Sequence, residues 1–204
     1  MTGSDASSTP GWTVAVPLKP AARGKSRLGA DETLVRAIGL DTVAAACGTA
    51  TVDRVIVVTS DAATAAAVAG WDRVELVPDA GGGLNAAIAQ GMDAVGDAVP
   101  RAALLGDLPA LHPHELDAAL AQAATHDRAV VPDAEGTGST LVTARTGVPW
   151  ASAFGAGSHE RHRGLGCVTL AVAAGAGLRR DVDTVSQLRA IADVAGPHTR
   201  AALR

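Results

Sequence analysis

Residues 101–111 read RAALLGDLPAL, and this stretch decides how the rest of the chain is interpreted. The four apolar residues 102–105 are typical of a short buried strand, and Gly106 gives the backbone freedom to turn. Asp107 follows at once, where open α/β sheets bind their ligands, beyond the carboxyl end of a strand. Two interpretations stay open: Asp107 binds Mg²⁺ beside a phosphorylated ligand, or it is a turn residue that caps the next element.

The sequence around this strand alternates between strand-like and helix-like segments. The strand-like segments are residues 12–18, 54–59, 73–77, 102–105 and 128–131. The helix-like segments between them are residues 34–46, 61–69, 84–95 and 113–125. This alternation predicts the α/β class, with a mostly parallel, doubly wound central sheet.

The alternation loosens after residue 131. Residues 139–143 are strand-like, and residues 148–166 are irregular and rich in Gly and His. A further strand is expected within 166–174, and a final helix over 185–195 is stopped by Gly and Pro. We therefore expect one or two antiparallel strands that carry a substrate subsite. Residues 1–11 are expected to be a disordered tail, followed by a single domain over 12–204.

The composition excludes several classes of function. A net charge of −4 and an aromatic content of 2% argue against binding nucleic acid. No apolar run approaches the ~18 residues of a membrane span, and the first eleven residues lack the features of a secretion signal. Cys47 and Cys167 lie in no CxxC motif, so we expect reduced thiols. These features predict a cytoplasmic protein without nucleic-acid or membrane partners.

A basic segment follows the first strand. Residues 19–28, KPAARGKSRL, contain four cations: Lys19, Arg23, Lys25 and Arg27. At the carboxyl edge of the sheet they would neutralise a triphosphate and the pyrophosphate that leaves it. The alternative is a solvated basic loop. The segment contains neither GxGxxG nor GxxxxGK[ST], so an ordinary dinucleotide site or P-loop is not expected.

Three further motifs carry candidate site residues. Residues 79–85, DAGGGLN, offer bare backbone amides at a helix start, or are a flexible connection. Residues 179–184, RRDVDT, supply a second carboxylate, Asp183, which either completes a Mg²⁺ site with Asp107 or caps a helix with Thr184. Two small-residue patches, EGTGST at 135–140 and FGAGS at 154–158, suit a phosphate monoester but are also compatible with ordinary turns.

The histidines are weaker candidates. Four of the six form two pairs of close spacing, His112 with His114 and His159 with His162. Each pair falls short of the three or four ligands that a zinc site needs, so we interpret these side chains as surface groups or as groups that support the site residues without touching a ligand.

Taken in order, the motifs VPLKPAARGKSRL, DAGGGLN, GDLPAL, EGTGST, FGAGS and RRDVDT resemble those of the phospholactate/phosphoenolpyruvate guanylyltransferases. The resemblance extends from Trp12 to about Ala195. These enzymes act in the biosynthesis of the deazaflavin coenzyme F(420). The resemblance implies a single-domain, Rossmann-like fold similar to the nucleotide-diphospho-sugar transferases, a three-layer sandwich around the sheet. A homodimer is compatible with the family.

The resemblance also implies a reaction and a set of site residues. GTP and a small phosphorylated carboxylic acid, phosphoenolpyruvate or 2-phospho-L-lactate, would be joined with release of pyrophosphate. Asp107 and Asp183 would hold Mg²⁺, and with Lys25 they form the expected catalytic group. The residues expected to contact the nucleotide are Lys19, Lys25, Arg27, Gly83 and Asn85. Those expected to contact the acceptor are Thr140, Gly155 and Ser158.

Two alternatives remain. The first is a nucleotidyltransferase of the same fold with another acceptor, such as 3-phosphoglycerate, molybdopterin or a sugar phosphate. The second is a GTP-binding regulatory module without chemistry. Paired carboxylates and two acceptor patches argue against that module, because a sensor needs only one ligand.

Overall fold

A computed structural model describes residues 11–19 and 31–204 of the chain. The expected tail therefore lies outside the described residues, apart from Gly11, as do Arg23, Lys25 and Arg27 of the basic segment. No helix within the described part of the chain combines the length and the apolar character needed to cross a bilayer. Cys47 and Cys167 are free thiols, as predicted, and burial raises the pKa of each to about 11.

The strands of the described residues form one seven-stranded sheet in the order β3-β2-β1-β4-β6-β5-β7. They are β1 (Trp12–Leu18), β2 (Val52–Thr59), β3 (Val74–Pro78), β4 (Arg101–Leu104), β5 (Arg128–Pro132), β6 (Ser139–Ala144) and β7 (Val168–Thr169). Strand β6 is antiparallel to both of its neighbours, and all other pairings are parallel. The predicted α/β class, with a mostly parallel sheet and an antiparallel strand in the second half, is confirmed.

Seven α-helices accompany the sheet in the described part of the chain. They are α1 (Glu32–Cys47), α2 (Ala62–Val68), α3 (Leu84–Val95), α4 (Pro113–Ala123), α5 (Ser158–Gly164), α6 (Val185–Ile191) and α7 (Pro197–Ala202). The first four helices lie where the sequence predicts them, with ends that differ by one or two residues, as is usual for helix boundaries.

Three details of the second half differ from prediction. Helix α5 lies inside the segment expected to be irregular. Its sequence, SHERHRG, has no apolar period, so no helix is predicted there. Helix α6 ends at Ile191 rather than at 195. Pro197 does not stop a helix but begins α7, since proline is well suited to the first helical position. The Asp41 carboxylate accepts hydrogen bonds from the amides of His198 and Thr199 at that end.

Hydrophobic cores lie on both faces of the sheet, which accounts for the continuous apolar runs in its central strands. On one face, Val14 and Val16 of β1 belong to the core that includes residues of α1 and α4. On the other face, Ala15 belongs to the core that includes Ile88 and Met92 of α3. The result is the predicted three-layer arrangement, with β1 in the interior of the sheet between β2 and β4 and buried along its whole length.

Gly106 has a different role from the predicted one. Its φ is outside the left-handed region, so the turn does not depend on glycine's conformational freedom. The constraint is space instead: a Cβ here would overlap Leu18 Cδ2 and lie 2.9 Å from the carbonyl oxygen of Pro17. Glycine is therefore required because the ends of β1 and β4 pass so close together. This close approach positions the next residue, Asp107.

Gly106→Ala should lower the free energy of unfolding by about 1–3 kcal/mol, the usual cost of forcing extra volume into a packed site. Urea unfolding at constant pH measures the change. Gly164→Ala is the matched control, because a Cβ at that exposed helical position meets nothing within 4 Å. Its expected effect is neutral or slightly stabilising. Equal stability of Gly106→Ala and the unsubstituted chain would contradict the packing argument.

Candidate active site

Asp107 lies just beyond the carboxyl end of β4, in a turn that hydrogen bonds to β6 and α1 hold in place. The amide of Leu105 donates to the Thr140 carbonyl at 2.9 Å, which continues the pairing of β4 with β6. The amide of Leu108 donates to Thr42 Oγ1 at 3.1 Å, and Thr42 is fully buried in α1. These bonds fix the backbone on both sides of Asp107.

A long-range backbone hydrogen bond brings the second acidic motif to this turn. The amide of Val182 donates to the carbonyl oxygen of Asp107 at 3.0 Å. Because Asp181 and Asp183 flank Val182, both come close to Asp107. Thr184, rather than Asp183, caps α6, through a capping box with Gln187. Helix capping therefore does not explain Asp183, and the two predicted carboxylates share one edge of the sheet.

Asp181 is a site residue that the sequence analysis missed. Burial, together with the negative charges of Asp107 and Asp183, raises the pKa of its carboxyl to about 7, and burial is the largest cause. Asp133 and Glu135 contribute in the same direction. A signal was present in the motif Asp-Val-Asp: alternate residues of an extended segment share a side, and Val182 between them is fully buried.

The chemistry of this cluster suits a hard divalent cation. Carboxylate oxygens are the ligands that Mg²⁺ prefers, and a cation would relieve the repulsion recorded in the pKa of Asp181. In the described part of the chain, no three His, Cys, Asp or Glu side chains are grouped closely enough to hold a metal by themselves. Phosphate oxygens and water would therefore have to complete a Mg²⁺ site here, as Mg²⁺ commonly requires.

On the predicted nucleotide side, the glycine loop has the expected open backbone. Gly81, Gly82 and Gly83 have φ values of +92°, +94° and +90°, which residues with a Cβ rarely adopt. Gly83 precedes α3, and no side chain caps that helix start. Lys19 is exposed directly after β1. Lys25 and Arg27 lie outside the described residues, so their predicted contacts stay predictions.

Asn85 joins the glycine loop to the predicted acceptor loop. Its Nδ2 donates to the carbonyl oxygen of Phe154 at 3.1 Å, and its Oδ1 accepts from the Phe154 amide at 2.9 Å. This two-bond clamp connects the first turn of α3 with residues 154–158. The structure thus brings the two predicted subsites together, although a nucleotide contact of Asn85 itself stays a prediction.

The three predicted acceptor residues differ in exposure. Thr140 is fully buried, and its Oγ1 has no hydrogen-bond partner among the described residues. Ser158 is 1% exposed, and its Oγ donates to Ser139 Oγ at 3.2 Å. Gly155 is exposed, with φ +122°. Direct contact of an acceptor with either hydroxyl requires the surrounding segments to move apart, whereas the backbone at Gly155 is already accessible.

The histidines divide into surface and buried groups. His112 and His114 are exposed at the start of α4, with Nδ1 atoms 2.5 Å apart. His159 is partly buried. His162 is fully buried, and both of its ring nitrogens are hydrogen-bonded.

Comparison with known proteins shows the family to which this chain belongs. Residues 24–185 match the MobA-like NTP transferase domain. The chain is 42% identical over 234 residues to the phosphoenolpyruvate guanylyltransferase of Sanguibacter keddieii, covering 92% of this chain and 82% of that protein. It is 46% identical over 200 residues to that of Streptomyces coelicolor, covering 93% and 94%. The chain belongs to the phosphoenolpyruvate guanylyltransferase family. It is a nucleotidyltransferase.

Solved structures confirm the fold of this family member. A Desulfovibrio desulfuricans protein described as a nucleotide-diphospho-sugar transferase superposes with a TM-score of 0.69 at 18% identity, covering 95% of this chain and 94% of that one. CMP:2-keto-3-deoxy-manno-octonic acid synthetase, solved with CTP, gives a TM-score of 0.61 at 16% identity, covering 89% and 96%. The predicted nucleotide-diphospho-sugar transferase-like fold is confirmed.

Asp181→Asn should stabilise the metal-free protein, and the gain should grow as the pH rises from about 4 to about 7. The pKa of Asp181 in the folded protein, about 7, lies above its ordinary value, so ionisation at higher pH destabilises the folded state. Below about pH 4 the carboxyl is neutral in both states and the effect vanishes. Thermal melting in EDTA across this pH range measures the difference. A constant difference at all pH values would contradict this assignment.

Proposed function

We propose that this chain transfers the guanylyl group of GTP to phosphoenolpyruvate, or to 2-phospho-L-lactate, in a Mg²⁺-dependent reaction that releases pyrophosphate. The product would be a guanosine diphospho-linked intermediate for the biosynthesis of the deazaflavin coenzyme F(420). The observation that carries the proposal is the Val182–Asp107 backbone bond, because it places two acidic motifs at one edge of the sheet. The names of the relatives support GTP and phosphoenolpyruvate as the substrates.

For this reaction the protein has two main tasks: to align the two substrates and to neutralise their negative charge. The phosphate of the acceptor is already an oxyanion, so no general base is needed to form the nucleophile. One of its oxygens attacks the α-phosphorus of GTP in line, the bond to the β-phosphate oxygen breaks, and pyrophosphate leaves with that electron pair. The main obstacle is repulsion between two anions, and holding them in line lowers the barrier.

Different parts of the chain would bind the two substrates. Lys19, Lys25 and Arg27 would neutralise the nucleotide phosphates, and the amides around Gly83 at the start of α3 would bind one of them. The 154–158 loop with Gly155 and Ser158, and the Thr140 hydroxyl, would bind the acceptor. The Asn85 clamp keeps that loop beside the start of α3.

The carboxylates of Asp107 and Asp183 would hold Mg²⁺, with Asp181 beside them. When bound, the ion would offset the negative charge of the phosphate oxygens during transfer. In its absence the charges of Asp107 and Asp183 add to burial in raising the pKa of Asp181. Mg²⁺ binding should therefore raise the melting temperature of the protein even without nucleotide.

Asp107→Asn should lower turnover by roughly two to three orders of magnitude, the scale of losing one preorganised electrostatic group. Folding should be largely unaffected, because the Asp107 backbone bond to Val182 is retained. Pyrophosphate release at saturating Mg²⁺ and substrates measures the loss. Asp193→Asn, at an exposed position just after α6, is the control and should retain full turnover. Near-normal turnover of Asp107→Asn would remove Asp107 from the metal site.

An acceptor panel tests the function itself. The protein is incubated with GTP, Mg²⁺ and, in separate reactions, phosphoenolpyruvate, 2-phospho-L-lactate, 3-phosphoglycerate and a sugar phosphate, and pyrophosphate release is measured. Release with phosphoenolpyruvate or 2-phospho-L-lactate supports the proposal. Release only with another acceptor would replace the substrate, and tight GTP binding without release in any reaction would favour a regulatory module.

A further inference from the structure

His162 is buried in a helix that the sequence did not predict, and its contacts converge on the proposed acceptor loop. The side chain is 0% exposed and packs edge-on against Phe154, with ring centroids 4.8 Å apart. A histidine buried this completely must satisfy both ring nitrogens within the protein. Where those nitrogens bond is therefore decisive for its role.

The two hydrogen bonds define the tautomer of the ring. The amide of Ala153 donates to His162 Nε2 at 2.8 Å, so Nε2 carries a lone pair. The hydrogen of the neutral ring must then be on Nδ1, which lies 2.9 Å from Ser139 Oγ and donates to it. Burial, together with the charges of Arg161 and His159, lowers the pKa of His162 to about 4, and burial is the largest cause. The ring is neutral in the physiological range.

Through these bonds the imidazole reaches both ends of the loop 153–158. At one end it holds the Ala153 amide directly. At the other end Ser158 Oγ donates to the same Ser139 Oγ that His162 contacts, at 3.2 Å. Ser139 is 2% exposed and Ser158 is 1% exposed, so water does not compete for this chain of bonds. One rigid ring thus contacts the Ala153 end of the loop directly and the Ser158 end through Ser139.

Two other side chains form hydrogen bonds with backbone groups of the loop. Arg161 donates from Nε and Nη2 to the carbonyl oxygen of Ala153, at 3.1 and 2.9 Å, and from Nη1 to that of Ala156. Asn85 clamps Phe154. The tip, residues 155–157, remains exposed. A loop held at its base with an exposed glycine tip is preorganised to present its backbone to a ligand.

We propose that His162 is a positioning residue of the acceptor subsite: its neutral ring holds the Ala153 end of the loop 153–158 directly and the Ser158 end through Ser139, and so helps to set the shape in which the loop binds the phosphorylated acid. This inference rests on the proposed function, which assigns the loop to the acceptor. His162 is not a catalytic residue, because both nitrogens are occupied by protein groups and the ring is sealed from substrate.

Two substitutions test the two hydrogen bonds of His162 one at a time. His162→Asn can place its amide nitrogen near the position of Nδ1, which keeps the bond to Ser139 and loses the bond to Ala153. His162→Gln can place its carbonyl oxygen near the position of Nε2, which keeps the bond to Ala153 and loses the bond to Ser139. Each should raise the KM for the acceptor about tenfold, roughly the effect of one lost hydrogen bond. The KM for GTP and kcat should change less than about twofold.

Two further variants complete the kinetic series. His162→Ala loses both bonds and should raise the acceptor KM more than either single loss. Arg163→Gln changes an exposed neighbour in the same helix that pairs with Glu160, and it should leave all constants unchanged. Thermal melting shows which variants are folded. If His162→Ala does not fold, the Asn and Gln variants still decide the question.

A spectroscopic readout is independent of turnover. In the ¹⁵N spectrum of histidine-labelled protein, His162 should show a neutral ring protonated at Nδ1 and no titration above about pH 5. His162 protonated at Nε2, or titrating near pH 6.5, would overturn the proposal.

The kinetic outcomes also distinguish failure of the proposed function from failure of the role proposed for His162. Wild-type protein without pyrophosphate release on any acceptor overturns the proposed function, and this inference with it. Active wild-type protein whose folded His162 variants keep the acceptor KM overturns this inference alone. A parallel loss of kcat and of affinity for GTP and acceptor alike would show a structural role only, and that result also overturns it.

Discussion

The hydrogen bond from the Val182 amide to the Asp107 carbonyl is the constraint on which the site depends. It joins the turn after a central strand to a segment far along the chain, and so brings the backbone between Asp181 and Asp183 to Asp107. Burial first, and then the charges of Asp107 and Asp183, raise the pKa of Asp181. The rest of the fold must offset that cost, because nearby like charges destabilise a folded state in the absence of cations. A divalent cation bound there, as proposed above, would reduce the repulsion between these carboxylates.

The rigidity of the Asp107 turn comes from neighbours that have no part in the chemistry. Gly106 allows the ends of β1 and β4 to pass within contact distance, and Thr42 in α1 holds the amide of Leu108. These contacts tie the turn to two layers of the sandwich at once. A carboxylate on such a turn needs little reorganisation when charge shifts during the reaction, which is the physical basis of electrostatic preorganisation.

Local patterns predicted the parts of this protein that local physics determines. The β/α alternation, the burial of β1 and the position of Asp107 after β4 all follow from side-chain periodicity and turn chemistry. Long-range contacts were not predictable in the same way. The Asn85 clamp on Phe154 and the packing reason for Gly106 each join residues that are distant in sequence. Helix α5 has no apolar period, and its buried His162 is recognisable only once Ser139 and Ala153 are known to surround it.

The proposed nucleotide and acceptor subsites differ in the groups that shape them, and Asn85 connects the two. The start of α3 offers backbone amides on glycines with positive φ, an arrangement that suits any phosphate. The 153–158 loop is shaped by side chains instead, through His162 at its ends and Arg161 at its base. Selectivity for an acceptor should therefore depend on the side chains behind the loop more than on the sheet. The Asn85 clamp attaches this loop to α3, whereas the turn of Asp107 is held by separate hydrogen bonds to Thr140, Thr42 and Val182.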